Sequence, residues 1–85
     1  MQKKVVLYAL STCGWCKRTK ALLDANGVDY ELHDVDLEEG DVRKRSMAEA
    51  SRWNARVSYP TLVIDEGQTV VVGYDETKIR EALGL

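Results

Sequence analysis

What this chain has little of narrows it first. Among its 85 residues are two cysteines, one proline, one histidine and no phenylalanine. Two cysteines cannot build a disulfide scaffold. A structural zinc site is one ligand short, because Cys13, Cys16 and the single His33 make three where four are usual, and a carboxylate would have to complete the set. No run approaches the ~18 apolar residues that span a bilayer. The apolar run near the start, Val5 to Leu10, is shorter than the roughly 7 to 15 residues of a secretory core and is expected to be a first strand. A net charge of -2 provides no overall positive field, which argues against a nucleic-acid partner. With no export or membrane signal the expected compartment is the cytoplasm, where a permanent disulfide would be unusual.

What is present is a globular composition, 45% hydrophobic and 31% charged, which excludes a disordered or collagenous chain. At this length residues 1–85 are expected to form one domain that buries about 60 to 65% of its unfolded surface. Lys4 to Leu10 is nearly continuous in apolar, β-prone residues, the pattern of a central strand covered on both faces. Ser11 and Thr12 are suited to cap a helix. In CGWCKRTKALLDANG, Cys16, Thr19, Leu22, Leu23 and Asn26 recur at helical spacing and Gly27 supplies the stop. Val28 to Asp36 alternates well enough for a second strand, completing a βαβ unit. A second helix is expected over Leu37 to Asn54, acidic residues leading and basic ones following, with Val42, Ser46, Met47, Ala50 and Trp53 on its buried face. TLVID and TVVVG, joined around Gly67, predict an antiparallel hairpin. YDETKIREAL predicts a third helix, with Asp75 or Glu76 near its start and Ile79, Ala82 and Leu83 inward. The expected order is β-α-β-α-β-β-α, an α/β fold.

The chemistry concentrates at Cys13 and Cys16. In the zinc reading His33, with Glu31 and Asp34 nearby, is more simply a half-buried surface residue. A structural staple gains little, since so short a loop returns only about 2 kcal/mol. A redox pair uses every local feature. Cys13 stands where a strand ends and a helix begins, so the free N–H groups of the first turn and the positive end of the dipole favour an anionic sulfur. Lys17, one turn on, is the cation best placed to add to this, while Arg18 and Lys20 read as a solvated helix face. Cys16, one turn up the same helix, is expected to be partly buried near Thr19 and Leu23 and to serve as the resolving thiol. The cycle runs from attack by Cys13 on a substrate disulfide, through a mixed disulfide, to attack by Cys16 that releases the reduced product and leaves a Cys13 to Cys16 bond.

Three segments, LYALSTCGWCKRTKALLDANGVDYELHDVD, SYPTLVID and VVGYDETKIREAL, resemble the glutaredoxins, including their thioredoxin-like relatives that reduce ribonucleotide reductase. A CxxC alone is a weak signal. A CxxC at a strand-to-helix turn, followed by an xP before a hairpin and a G-aromatic-D before a last helix, is a specific one. The resemblance implies a thioredoxin-like fold, a four-stranded mixed sheet flanked by three helices, and a cis peptide bond at Pro60. It also implies a groove in which the Tyr59 backbone N–H and C=O hold an extended peptide or glutathione. Thr12, Gly14 and Trp15 would line the cysteine side of it, and Gly73, Tyr74 and Asp75 the other wall, where helix N–H groups can meet a substrate carboxylate. Read from the residues alone, Tyr74 is equally a core-packing ring, and Trp15 either meets a partner protein or packs back on its helix.

Departures from the family pattern bear on the reductant. Members that use glutathione commonly carry a lysine three residues before the first cysteine, where this chain has Leu10, and the usual Pro-Tyr between the cysteines is Gly14-Trp15. The ending GYDETKIREAL is similar to that of the ribonucleotide-reductase relatives, which draw electrons from thioredoxin reductase, whereas Asp75 is similar to the glutathione users. The partners implied are disulfide-containing proteins such as ribonucleotide reductase, with glutathione or thioredoxin reductase as electron source, for a monomer with no tightly bound cofactor. Gly14 keeps one alternative open. Some glutaredoxins with a small residue after the first cysteine hold a [2Fe-2S] cluster between two subunits, using that cysteine and glutathione.

Overall fold

The computed structural model of the chain describes residues 4–56 and 58–85, so Met1, Gln2 and Lys3, the start of the stretch read as a strand rather than a leader, lie outside it, as does Val57. Strand β1 (Val5–Ala9) is buried at every position. Its unbroken apolar run follows from its place inside the sheet, whose order is β2-β1-β3-β4 with β2 Glu31–Asp34, β3 Thr61–Ile64 and β4 Thr69–Val72. β1 pairs in parallel with β2, Val6 opposite Glu31 and Ala9 opposite Asp34. It pairs antiparallel with β3, Val5 opposite Ile64 and Tyr8 opposite Thr61, and β3 pairs antiparallel with β4. A parallel neighbour needs a crossover, and helix α1 (Gly14–Ala25) supplies it.

Because successive strand side chains point to opposite faces, β1 serves two cores. Val5, Leu7 and Ala9 pack with Cys16 and Leu23 of α1, Leu62, Ile64 and Val71 of the hairpin, and Ile79 of α3 (Glu76–Leu83). Val6 and Tyr8 face the other way, with Val63 and with Ala50 of α2 (Gly40–Trp53). The result is the four-stranded mixed sheet with helices on both faces that the thioredoxin-like expectation describes.

Several local expectations are replaced. The cap of α1 is neither Ser11 nor Thr12 but Cys13, at φ -83° and ψ 121°. Ser11 is occupied elsewhere, its N–H (2.8 Å) and its hydroxyl both donating to the Asp36 carboxylate, and Thr12 is exposed. Asn26 does not face inward; it is exposed, its side-chain amide donating to the Leu22 carbonyl at 2.8 Å, while Gly27 at φ +66° ends the helix as expected. The second strand is confined to Glu31–Asp34 because a 3-10 turn, Val35–Leu37, follows at once.

That turn also delays the second helix. Gly40 takes φ +56°, so Glu38 and Glu39 fall before α2 and only Asp41 lies in its first turn. Arg43 reaches back to donate to the Val35 and Asp36 carbonyls (3.2 and 3.0 Å), tying α2 to the turn. The expected buried face is correspondingly narrow: Ser46 and Ala50 are buried, Trp53 is half-buried, and Val42 and Met47 are exposed. In the hairpin link, Gly67 at φ +101° lies against Trp53. A Cβ there would fall 2.3 Å from the indole, so both the backbone angle and the close approach require glycine.

Candidate active site

The tight exit from β1 places Cys13 at the mouth of α1. Its N–H donates to the Leu10 carbonyl (3.2 Å), its carbonyl accepts from the Lys17 N–H (3.0 Å), and its sulfur accepts from the Cys16 N–H (3.2 Å). The sulfur thus takes the capping place usually filled by a side-chain oxygen. Burial pushes the Cys13 thiol up, but hydrogen bonds from the Cys16 thiol and from the main chain of Cys16 and Trp15, with the charge of Lys20, outweigh it and hold the thiol below its ordinary range. Cys16 has the opposite fate. It is fully buried, and burial, followed by donation of its thiol to Cys13, pushes it up to about 12. Both are free thiols. Two sulfurs one turn apart ionise in opposite senses, one ready to attack and one held in reserve.

The cation acting on Cys13 is Lys20 rather than the expected Lys17. Lys17 is exposed. Lys20 is drawn in by Asp34, with Nζ 2.7 Å from Oδ1 and the side chains only 19% and 17% exposed. Helical spacing alone assigned Lys20 to solvent. The parallel pairing of β1 with β2, which sets Asp34 beside Ala9, is what converts it into a site residue.

The three segments expected to line a groove lie together. The Tyr59–Pro60 peptide bond is cis and Pro60 is buried. The Pro60 carbonyl accepts from the Gly73 N–H at 2.8 Å, which fastens the two predicted walls together, with Gly73 at φ +81°. Tyr74 stacks on Trp15, ring centroids 5.9 Å apart at 20°, and also packs against the larger core. Trp15 is 57% exposed, and the Arg18 guanidinium lies 5.0 Å from its ring centroid. It neither stands free nor folds wholly back on its helix; it joins the start of α1 to the start of α3. Gly14 opens α1 with open space where a Cβ would be. The Asp75 carboxylate accepts from the Lys78 N–H at 3.1 Å and is committed to capping α3.

A second polar cluster lies at the β2 edge. His33 Nδ1 is 2.9 Å from Glu38 Oε2 and its Nε2 is 2.7 Å from Glu31 Oε2, with the ring stacked on Tyr8 at 5.3 Å. Burial alone would lower this imidazole, but its bonds to Glu38 and Glu31 raise it above its ordinary value. Glu38 itself is pushed up by burial, yet bonds from Ser46 and His33 bring its carboxyl below the usual range. Sequence reasoning noted His33 with its acidic neighbours but missed Glu38, which it placed in a helix. Among the described residues no group of three or more His, Cys, Asp and Glu could hold a metal ion, and no helix is long and apolar enough to cross a membrane.

Residues 5–70 match the glutaredoxin family model. A probable glutaredoxin from Synechocystis is 38% identical over 63 residues, covering 74% of this chain and 67% of that protein. An uncharacterized monothiol glutaredoxin from Caenorhabditis elegans is 32% identical over 87 residues, covering 99% of this chain but 56% of the other, so the chain spans little more than half of that protein. Among solved structures, the methanoredoxin of Methanosarcina acetivorans superposes with a TM-score of 0.91 at 46% identity, covering 96% of this chain and 85% of that one. The glutaredoxin of Methanosarcina mazei Go1 gives 0.88 at 45% identity, over 96% and 79%.

Proposed function

This chain belongs to the glutaredoxin family of thiol-disulfide oxidoreductases, and we propose that it reduces protein disulfides or glutathione mixed disulfides by a dithiol cycle in a reducing compartment. The observation that carries the reading is the Cys13 sulfur serving as helix cap, with the Cys16 N–H 3.2 Å away and the Cys16 thiol donating to it. A thiolate so held attacks one sulfur of a substrate disulfide, forms the mixed disulfide and expels the other sulfur as thiolate. Cys16 then attacks Cys13 and releases the second thiolate, leaving the intramolecular disulfide for an external reductant. The substrate's extended chain would run along the Tyr59 main chain, where the hairpin pairing ends at Pro60. Ribonucleotide reductase is one protein disulfide of the required kind.

Turnover of a mixed disulfide is to be followed with glutathione and its reductase, then with thioredoxin reductase alone, and whichever sustains it is the electron source. Cys13→Ser is expected to abolish turnover in both arms. Retained activity would remove Cys13 from the mechanism.

A second reading, carriage of a [2Fe-2S] cluster between two subunits by Cys13 and glutathione, is favoured only by Gly14, beside which the space is open. Cys13 is the one thiol of the chain exposed enough to serve, so a second subunit and external thiols would complete the set. Anaerobic reconstitution decides it, since a colourless monomer would end the proposal.

A further inference from the structure

The end of β2 grips the CxxC segment at two points. Before the cysteines, Ser11 gives its N–H to Asp36 Oδ1 at 2.8 Å and its hydroxyl to Oδ2 of the same carboxylate. After them, Lys20 is paired with Asp34 at 2.7 Å. Asp34 closes β2 and Asp36 lies in the 3-10 turn that follows, so one short stretch of chain holds both the approach to α1 and the body of that helix. This footing is itself fixed. Val35, between the two carboxylates, is buried, and Arg43 of α2 donates to the Val35 and Asp36 carbonyls at 3.2 and 3.0 Å.

Cys13 stands between the two anchors. The turn before it is closed by its own N–H to the Leu10 carbonyl at 3.2 Å, and its sulfur accepts from the Cys16 N–H at the same distance. Both of those bonds are internal to the segment and would pivot with it. The link from Ser11 to Asp36 is external, and two donors of one residue on the two oxygens of one carboxylate allow no swing about either bond. Donation by the Ser11 hydroxyl and then by its N–H holds the Asp36 carboxyl below its usual range, so both oxygens are free to accept at neutral pH.

We propose that Asp36 is a positioning residue for disulfide attack: through Ser11 it fixes the turn that sets the Cys13 sulfur in line with the S–S bond of a substrate lying along the Tyr59 main chain. The proposal rests on the dithiol reading above and names the residue by which that site is aimed. Asp36 acts through Ser11 and moves no proton or electron. Disulfide exchange requires three sulfurs in line, and a misplacement of about 1 Å can slow such a reaction by about a hundredfold. Alkylation by a small reagent needs only an accessible thiolate.

The test compares these two reactions of one sulfur. Single-turnover loss of a mixed disulfide between glutathione and a cysteinyl peptide gives the exchange rate, and iodoacetamide gives the alkylation rate. Their ratio cancels the thiolate fraction and isolates alignment. Asp36→Ala is expected to lower the ratio about tenfold or more. Asp36→Asn removes the charge, yet its amide oxygen can accept from the Ser11 N–H while its NH2 donates to the Ser11 hydroxyl oxygen, so it should recover most of the loss. Ser11→Ala, made on the Asp36→Asn background where the charge is already gone, should forfeit part of that recovery, and it is the variant to read where Asp36→Ala fails to fold. A wild-type ratio in Asp36→Ala would overturn the proposal and leave the contact a matter of loop stability, which urea unfolding registers separately. A ratio as low in Asp36→Asn as in Asp36→Ala would overturn it by assigning the effect to charge, and so would an unchanged ratio on adding Ser11→Ala. Failure of the dithiol cycle is a separate result, because wild type would then retain half of the substrate as a mixed disulfide, visible by mass, whatever the ratios.

Discussion

The two faces of the sheet are held by different means. Against α1 and α3 nine buried residues form the core, every one apolar or a thiol, whereas the apolar cluster beneath α2 consists, among the described residues, of Val6, Tyr8, Ala50 and Val63. The α2 side makes up the difference with polar links: His33 to Glu38, Arg43 to two main-chain carbonyls, and the Asn54 amide to the Ser58 and Thr61 hydroxyls (2.9 and 3.3 Å). The difference teaches where precision is needed. A sulfur placed by one N–H at 3.2 Å tolerates little movement of its helix, so α1 rests on close-packed apolar surface. The α2 side carries no part of the attacking thiol and is held by directional bonds, of which the His33–Glu38 pair depends on pH.

Removing apolar groups should break the contrast most strongly. Leu23 is completely buried on the α1 face, and Leu23→Ala is expected to cost about 2 to 5 kcal/mol, the transfer term plus a cavity the packed neighbours cannot close. Val63→Ala, on the α2 face, should cost about 1 to 2 kcal/mol and less per carbon removed, because the exposed rim of α2 can settle into the gap. Urea unfolding of both variants gives the comparison. Equal costs per carbon would mean that the small core is as tightly packed as the large one.

The polar side breaks through His33. His33→Phe keeps a ring on Tyr8 but strips Glu38 and Glu31 of their partner, with an expected loss of about 1 to 3 kcal/mol at pH 6. The loss should shrink with pH. Because the folded imidazole is raised above the unfolded value of 6.5, its contribution is complete below that value and disappears as pH rises through the folded one. Denaturation of wild type and variant across that window should therefore converge toward alkaline pH. A constant gap would assign the effect to packing instead of charge.

How much of this was legible in the sequence depended on range. The CxxC, the buried positions Cys16, Thr19 and Leu23, and the hairpin were readable because each is set by contacts within one helix turn or one strand period. The thioredoxin-like fold and the cis bond before Pro60 came from the resemblance, since nothing within the stretch SYPT dictates either. What escaped was long-range pairing of polar groups. Ser11 looked like a cap until Asp36, 25 residues away, claimed it. Glu38 looked like the first turn of a helix until Gly40 and the 3-10 turn moved the helix past it. Val42 and Met47 looked buried because the helical period is right, and only the small core beneath α2 leaves them in solvent.

Lys20 is the sharpest such case and carries the smallest expected effect. It belongs to the well-packed α1 side, yet it is fixed by a polar link to β2, so it tests whether the attacking sulfur depends on apolar placement alone. Lys20→Met keeps the aliphatic stem and removes the charge. The pH limb of Cys13 alkylation by iodoacetamide is expected to move upward, by an amount worth under about 1 kcal/mol, since the pair with Asp34 is partly solvated and shared with other partners. Raised salt should shrink the shift little, because a side chain 19% exposed is only partly screened. Lys17→Met is the matched control: its charge stands in solvent and its loss should move the limb less. If Lys17 proved the larger of the two, the thiolate would owe its charge to the open helix face, and the strand pairing that sets Asp34 beside Ala9 would have no part in the chemistry.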